Sequence, residues 1–382
     1  MTEIKNLKKA AERIKKAIKD EEKIILYGDA DLDGVSSVII LKESIKNLGG
    51  EVAAVYFPDR ETEGYGISET ALSHLKQFSP ALLIALDCGI GNFKEINLAK
   101  KLGFEVIIVD HHEVLDKLPA AKIIVDPKQK SDKYSFKGLA NTGISFKLSE
   151  AILGEKMSPV IRNNFLEMVA LATIADMMPQ EDENKIFIED GLNNLENSWR
   201  PGIQAFFETE ILNEYSNLNQ KVSKIISLLN VRDAENNLPA SFRLLTSQSV
   251  EDSKKLIEKL LEKSFQRKQK IEEIIREIES RLLKKQEPII FEGAAHFEVM
   301  LISSVASTLC HRYKKPSFIY KKLEKESQGT VRTPAGINGV SLMKKCKKYL
   351  ITFGGHAQAS GFRVKNENLE KFKECLIDNY DL

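Results

Sequence analysis

The sequence predicts an α/β protein. An N-terminal domain with a doubly wound, mostly parallel sheet is followed by a long connecting helix and a smaller C-terminal α/β domain. Three observations carry this prediction. First, five apolar runs, 23–29, 52–57, 81–87, 105–110 and 122–126, mostly alternate with stretches of helical period. Apolar almost throughout, they have the character of strands buried on both faces of a parallel sheet. Second, residues 251–286 are densely charged, carry apolar residues at helical spacing and contain no Gly or Pro, which predicts one or two long amphipathic helices. Third, "PIIFEG", "FEVMLISSVASTLCHRY" and "PSFIYKK" begin a second α/β pattern after that stretch. The expected boundaries are 1–195 for the first domain, 196–286 for the helical connector and 287–382 for the last domain.

The 382 residues suffice for two or three domains with a sizeable core. With 56 Lys and Arg against 55 Asp and Glu, the net charge is +1, so the whole protein is not a generic polyanion binder. Basic runs such as "CHRYKKP", "IYKKLEK" and "LMKKCKKY" nevertheless crowd the C-terminal third. Most of them read as solvated surface, and a local basic face there can track a phosphate backbone. No apolar stretch has the length of a membrane span. The N-terminus is charged and helical, unlike a signal peptide. Cys88, Cys310, Cys346 and Cys375 lack C-x-x-C spacing, which argues against a disulfide framework or a zinc ribbon and fits a reducing cytoplasm.

Taken in order, the first strand run "KIILYGD" ends in three alternate acids, Asp29, Asp31 and Asp33, within "GDADLDG". The helical "VSSVIILKESIKNLGG" follows and ends at Gly. Further runs stop at Asp87, Asp110 and Asp126, and His111 and His112 come directly after Asp110. Asp126 precedes Pro127 and reads as a turn or cap. "FLEMVALATIADMM" reads as a buried helix with Asp176 near its end, before Pro179. Residues 196–250 are mixed helix and loop. "LITFGGHAQASGFRV" is a Gly-rich turn carrying His356.

In a doubly wound sheet the ligand crevice lies beyond the carboxyl ends of the strands, so these acids are expected to converge. Crowded carboxylates repel and raise one another's pKa. Around cations they coexist cheaply. Asp29, Asp31, Asp33, Asp87, His111, His112 and Asp176 form an oxygen-rich set with some imidazole and no thiolate, which suits Mn²⁺ well and Mg²⁺ acceptably. They are too many for one ion. Two ions roughly 3.5–4 Å apart would use them, activating water and stabilising charge on a phosphoryl group. An EF-hand loop is the competing reading of "DADLDG", but "VSSVII" after it lacks the closing glutamate.

With "GDADLDG" (28–34), "LDCG" (86–89), "DHH" (110–112) and "IADMMP" (174–179) in that order, the sequence resembles the DHH phosphoesterase superfamily and its RecJ-like nucleases. "GLANTGISFKL" (138–148) and "ENKIFIEDGL" (183–192) are similar to family segments as well. "VASTLCHRYKKPSFIY" (305–320), "GTVRT" (329–333) and "FGGHAQASGF" (353–362) resemble the DHHA1 domain. The resemblance implies a DHH domain holding two Mn²⁺ ions, a long helix, and a DHHA1 domain that covers the catalytic cleft and supplies phosphate-binding groups. It implies Asp29, Asp31, Asp33, Asp87, His111 and Asp176 as metal ligands and His112 beside the scissile phosphate. Asp110 would orient a histidine, His356 would contact substrate phosphate and Arg332 would clamp it. There are three departures. Tyr27 stands where many relatives have a histidine, with Asp29 expected to compensate. "NVRDAENN" (230–237) stands where an "NAAGR"-like stretch is usual, displacing its arginine to Arg232. An OB-fold like that of bacterial RecJ is not expected, as in minimal or archaeal RecJ-like proteins.

The expected function is a Mn²⁺-dependent exonuclease on single-stranded nucleic acid, DNA ahead of RNA, releasing mononucleotides. One alternative is a phosphodiesterase for short RNAs or cyclic dinucleotides. Another is a scaffold subunit of a replication or repair complex. A helicase or GINS-like partner is compatible with an active nuclease. His74 is expected at or near the surface, and His296 and His311 in the packing of the last domain. Trp199 is expected to pack rather than stack on a base, and the loop aromatics Tyr65 and Phe93 to serve packing.

Overall fold

The structure is a computed structural model and describes residues 3–114, 117–282 and 287–380. Two compact units divide at Leu261/Glu262.

The first unit opens with α1 (Leu7–Lys19), β1 (Ile24–Gly28), α2 (Leu32–Asn47) and β2 (Val52–Tyr56). Next come α3 (Glu69–Leu75), β3 (Ala81–Leu86), α4 (Phe93–Lys101), β4 (Phe104–Val109) and β5 (Ile123–Val125). The strands lie in the order β2-β1-β3-β4-β5 and every pairing is parallel. All five predicted runs are strands. Alternation along each strand feeds two cores. Ile24, Leu26, Leu82, Ile84, Ile107 and Val109 face one layer of helices. Ile25, Tyr27, Leu83, Ala85, Val106 and Ile108 face the layer made by α3 and α4. Burying one such Leu or Ile contributes roughly 1.5–3 kcal/mol, and in β1 and β3, buried at every position, no residue is free to be charged until the strand ends.

Helices α5 (Asn141–Leu153), α6 (Pro159–Ala175) and α7 (Asp182–Leu195) complete the thicker layer. The predicted buried helix is α6, and Asp176 is its C-cap. The region from residue 196, read from sequence as part of a connector, packs into the same core. It contains α8 (Pro201–Glu208), α9 (Leu218–Leu229), the hairpin β6 (Ala234–Glu235) and β7 (Leu238–Pro239), and α10 (Ala240–Leu245). Asn236 and Asn237, at φ 54° and 60°, make the turn of that hairpin. Arg200 is buried and grips Glu43 of α2 with both terminal nitrogens (2.9 and 2.7 Å). Trp199 beside it stays exposed, with Arg200 over its ring at 5.4 Å. The predicted long helix is α11 (Val250–Leu282); its predicted end, 283–286, lies outside the described residues.

The second unit contains β8 (Ile290–Ala294), α12 (Val299–Tyr313), β9 (Ser317–Lys322), β10 (Glu326–Arg332) and α13 (Gly339–Lys345). It ends with β11 (Leu350–Gly355), β12 (Ala359–Lys365) and α14 (Leu369–Asp378). The sheet order is β11-β12-β10-β9-β8, with only the β8/β9 pairing parallel. Ile290 and Ile319 pack with α12, while Phe318, Val331, Phe362 and Val364 pack with α13 and α14. His296 and His311 are exposed rather than part of this packing, and His296 Nε2 contacts Glu277 at 2.9 Å.

The spacing argues against a disulfide framework, yet one disulfide, Cys346–Cys375, is present; Cys88 and Cys310 are free and buried. A separation of 29 residues carries no pairing signal in sequence, and α13 and α14 bring the two together. Closing a loop of that length stabilises by about 3–4 kcal/mol in the chain-entropy account. Dithiothreitol, or Cys375→Ser, is therefore expected to lower the unfolding transition of the second unit by that amount. Calorimetry should find the first unit's transition unmoved.

Candidate metal centre

The strand order decides where the acids meet. The chain passes from β1 to β2 on one side and from β2 back across to β3 on the other, so a crevice opens outside the carboxyl ends of β1 and β3. Asp29 follows β1 and Asp87 follows β3, while Asp110, His111 and His112 follow β4. Asp31 is the N-cap of α2, its Oδ1 accepting from the amides of Asp33 and Gly34 at 3.1 Å each. Asp33 caps a different helix. α5 starts behind Ala140, which has no side chain for the task. The Asp33 carboxylate instead accepts from Asn141 N (2.7 Å), Thr142 N (2.8 Å) and Thr142 Oγ1 (2.5 Å), a favourable place for an anion. Asp87 has φ 62°, and its amide donates to Val109 O at 3.0 Å. The Asn141 amide, oriented by its hydrogen-bond network, donates to Val109 O (3.0 Å) and accepts from Ser37 Oγ (2.9 Å) and Asp87 N (2.8 Å).

His111 is buried among these acids. Its Nδ1 lies 3.2 Å from Leu139 O, a contact that holds the proton on Nδ1 and leaves the Nε2 lone pair for a ligand. Nε2 is 3.2 Å from Asp87 Oδ1, 3.7 Å from Asp176 Oδ2 and 3.8 Å from Asp33 Oδ2. His112 is more open, and its Nδ1 lies 2.8 Å from Asp110 Oδ1. Asp110 also accepts from Ile90 N (3.0 Å), His111 N (2.8 Å) and His112 N (3.2 Å). Three overlapping groups result: Asp87 with His111 and His112; Asp33 with His111 and Asp176; Asp29 with Asp31 and Asp87. Within each, the ligand atoms lie within 4.8 Å of one another. The six residues expected as metal ligands are thus brought together, with Asp110 and His112 beside them.

The electrostatics favour a cation. Burial, then the charges of Asp33, Asp31, Asp110 and Asp176, push the Asp87 carboxyl well above the usual carboxylate range. Burial raises Asp33 against the pull of His111, and burial with Asp33 raises Asp176 to about 6. Asp87 Oδ1 is buried without a hydrogen-bond partner. An orphaned carboxylate oxygen inside an oxygen-rich donor set with one imidazole fits Mn²⁺ or Mg²⁺. Asp110 differs: burial alone would raise it, but its bond to His112 and that ring's charge outweigh burial and lower it. The same pair raises His112 against its own burial.

Sequence reasoning missed Arg60. Its Nε donates to Asp29 Oδ1 (2.9 Å), and one terminal nitrogen reaches Asp31 Oδ2 (2.9 Å) and Asp29 Oδ2. An arginine in the acidic loop "PDRETEG", after a strand of the same sheet, was the available signal. Arg232 is close enough for its charge to oppose Arg60's. Tyr27 is buried and its hydroxyl donates to Gly66 O at 2.8 Å. Asp126 forms the expected turn, accepting from Lys128 N at 2.7 Å. Arg332 and His356 belong to the second unit. Arg332 donates to Ser303 Oγ (2.6 Å), Ser307 Oγ (3.1 Å) and Thr330 Oγ1 (3.2 Å). His356 is exposed on the turn between β11 and β12, next to Gly355 at φ 122°, where a Cβ would meet Ala359 O at 2.7 Å.

Residues 23–173 match the DHH family, N-terminal domain. The single-stranded-DNA-specific exonuclease RecJ of Bacillus subtilis is 32% identical over 390 residues, covering 99% of this chain. The chain spans 48% of that protein's length, about half. A crystal structure of exonuclease RecJ bound to manganese superposes with a TM-score of 0.82 at 24% identity, covering 98% of this chain and 94% of that one. RecJ from Thermus thermophilus in complex with Mn²⁺ superposes with a TM-score of 0.80 at 23% identity, covering 98% and 54%. These two likenesses concern the fold. With the four acidic motifs gathered beyond the carboxyl ends of the strands, residues 23–173 belong to the DHH family as its N-terminal domain, and over nearly its whole length the chain is similar to RecJ exonucleases.

Proposed function

We propose that this protein is a Mn²⁺-dependent exonuclease that hydrolyses single-stranded DNA from an end and releases mononucleotides. The observation that carries the reading is the meeting of Asp29, Asp31, Asp33, Asp87, His111 and Asp176 around an unpartnered, buried Asp87 oxygen. These residues would hold two ions, with Mg²⁺ the substitute for Mn²⁺. When bound, the ions supply a nucleophile from water at neutral pH and stabilise charge on the phosphoryl oxygens. The chain's own groups do the rest. Asp110 holds the His112 ring by Nδ1, leaving Nε2 to face a phosphate. In the second unit, taken as the substrate-binding DHHA1 domain, Arg332 is held by neutral hydroxyls rather than by a carboxylate. A guanidinium so placed keeps its charge for a phosphate, and His356 offers an imidazole on an exposed turn.

Charge distribution supports a polyanionic substrate. Residues 262–382 carry 23 Lys and Arg against 15 Asp and Glu, while residues 1–261 carry 33 against 40. Among the described residues no helix is long and apolar enough to cross a membrane.

The test is an assay of the purified chain with Mn²⁺ on DNA oligonucleotides labelled at either end. A ladder of shortened single strands, with duplex left intact and chelator abolishing cleavage, is the expected outcome. Cleavage confined to dinucleotides or very short RNA would move the substrate to the short-RNA alternative. No cleavage of any strand would remove the nuclease reading.

A further inference from the structure

Tyr65 is unusually placed for a loop aromatic. The residue is 54% exposed, but the hydroxyl is engaged. It donates to the main-chain carbonyl of Asp87 at 3.0 Å, and the same oxygen lies 3.1 Å from Nδ1 and 3.3 Å from Nε2 of His112. Near-equal approach to both nitrogens places it over the face of the imidazole, because an in-plane approach between them would drive it into Cε1. With its proton committed to Asp87, the hydroxyl meets that face through its oxygen.

The surroundings hold Tyr65 in place. Gly64 and Gly66 flank it at φ 84° and 86°, values that favour glycine. A Cβ on Gly66 would meet Asn92 Oδ1 at 2.5 Å. Tyr27 binds the Gly66 carbonyl from the core, and Asn92 Oδ1 accepts from Ile67 N at 3.1 Å. The Arg60 guanidinium lies over the Tyr65 ring at 5.8 Å. His112 is therefore bounded by Asp110 at Nδ1, by the His111 ring edge-on at 4.5 Å between centroids, and by the Tyr65 hydroxyl over one face, with Nε2 left open.

We propose that Tyr65 is a positioning residue for His112: its hydroxyl, tied to the Asp87 carbonyl, fixes the rotation of the imidazole and links that ring to the strand end bearing a metal ligand. Asp110 alone holds one nitrogen and leaves the ring free to swing about that contact. The tie to Asp87 removes that freedom.

The inference rests on the nuclease reading for its kinetic test and on geometry alone for its spectroscopic one. Tyr65→Phe keeps the ring and removes the hydroxyl. It is expected to lower kcat on single-stranded DNA by about 10-fold, the lower end for losing a partner that orients an active-site group. KM should change by less than about twofold, and Mn²⁺ affinity by calorimetry should not change. An unaltered kcat, or a loss carried by KM or by Mn²⁺ affinity, overturns the positioning role. In the metal-free protein with ¹³C-labelled histidine, the His112 Cε1–H signal should shift on Tyr65→Phe while that of exposed His296 stays. Absence of that shift overturns the proposal too. If the wild type cleaves no strand, the nuclease reading fails, and the spectrum still decides this one.

Discussion

Replacing Asp87 with asparagine is expected to reduce nuclease activity more than about 100-fold, beyond the usual loss from removing an orienting partner, and to raise the melting temperature of the metal-free protein. Both effects have one cause. Asp87 is buried, its Oδ1 has no partner, and the carboxylates of Asp33, Asp31, Asp110 and Asp176 weigh on it. It sits 3.2 Å from His111 Nε2 and takes part in two of the three candidate metal groups, so its removal dismantles both. Asparagine preserves the backbone, since it tolerates the left-handed region that Asp87 occupies at φ 62°. Its neutral amide can face the lone pair of His111 Nε2. Without metal the variant sheds the burial and repulsion that weigh on the wild-type carboxyl, so its melting temperature rises. With Mn²⁺ the ranking reverses, because only the wild type gains from binding. Thermal melts of both proteins, with and without Mn²⁺, decide the matter; a variant that melts lower than wild type in chelator would refute the crowding argument.

The same crowding sets a pH dependence. A carboxyl whose folded pKa is raised burdens the folded state fully above that pKa and not at all below its unfolded value. For Asp176 the window runs from about 6 down to 3.8. The metal-free protein should therefore gain stability from this site as pH falls through that window, opposite to the usual acid destabilisation by paired carboxylates. Saturating Mn²⁺ should abolish the gain.

Gly34→Ala is expected to cost about 3 kcal/mol or more, the upper range for forced overpacking, and to abolish Mn²⁺ binding. A Cβ there would meet Asp29 O at 2.4 Å, Asp29 N at 2.7 Å and Asp29 C at 2.9 Å. All three are backbone atoms, so no side-chain rotation relieves the clash. Relief requires α2 to withdraw from the end of β1, and that movement separates Asp29 from Asp31 and Asp33. Gly91 is the control: a Cβ there meets nothing within 4 Å, and Gly91→Ala should stay within about 0.5 kcal/mol of wild type. Denaturant unfolding gives the stability term and calorimetric Mn²⁺ titration the binding term. A Gly34→Ala protein that binds Mn²⁺ normally would show that the close approach of α2 to β1 is not what holds the three acids together.

The amino-acid sequence by itself determined the parallel sheet, the placement of acids at its strand ends, and α6 with Asp176 at its close. Strands covered on both faces must be apolar along their length, so polarity is confined to their ends, and that contrast is a one-dimensional signal. Tertiary structure alone decided that the Asp33 carboxylate caps α5, that Asn141 braces Asp87, that Arg60 bridges Asp29 and Asp31, that Tyr65 reaches His112, and that Cys346 joins Cys375. Each of these pairs residues whose spacing follows no helical or strand period. Such contacts exist only once the sheet order and the packing of helices have placed distant segments side by side.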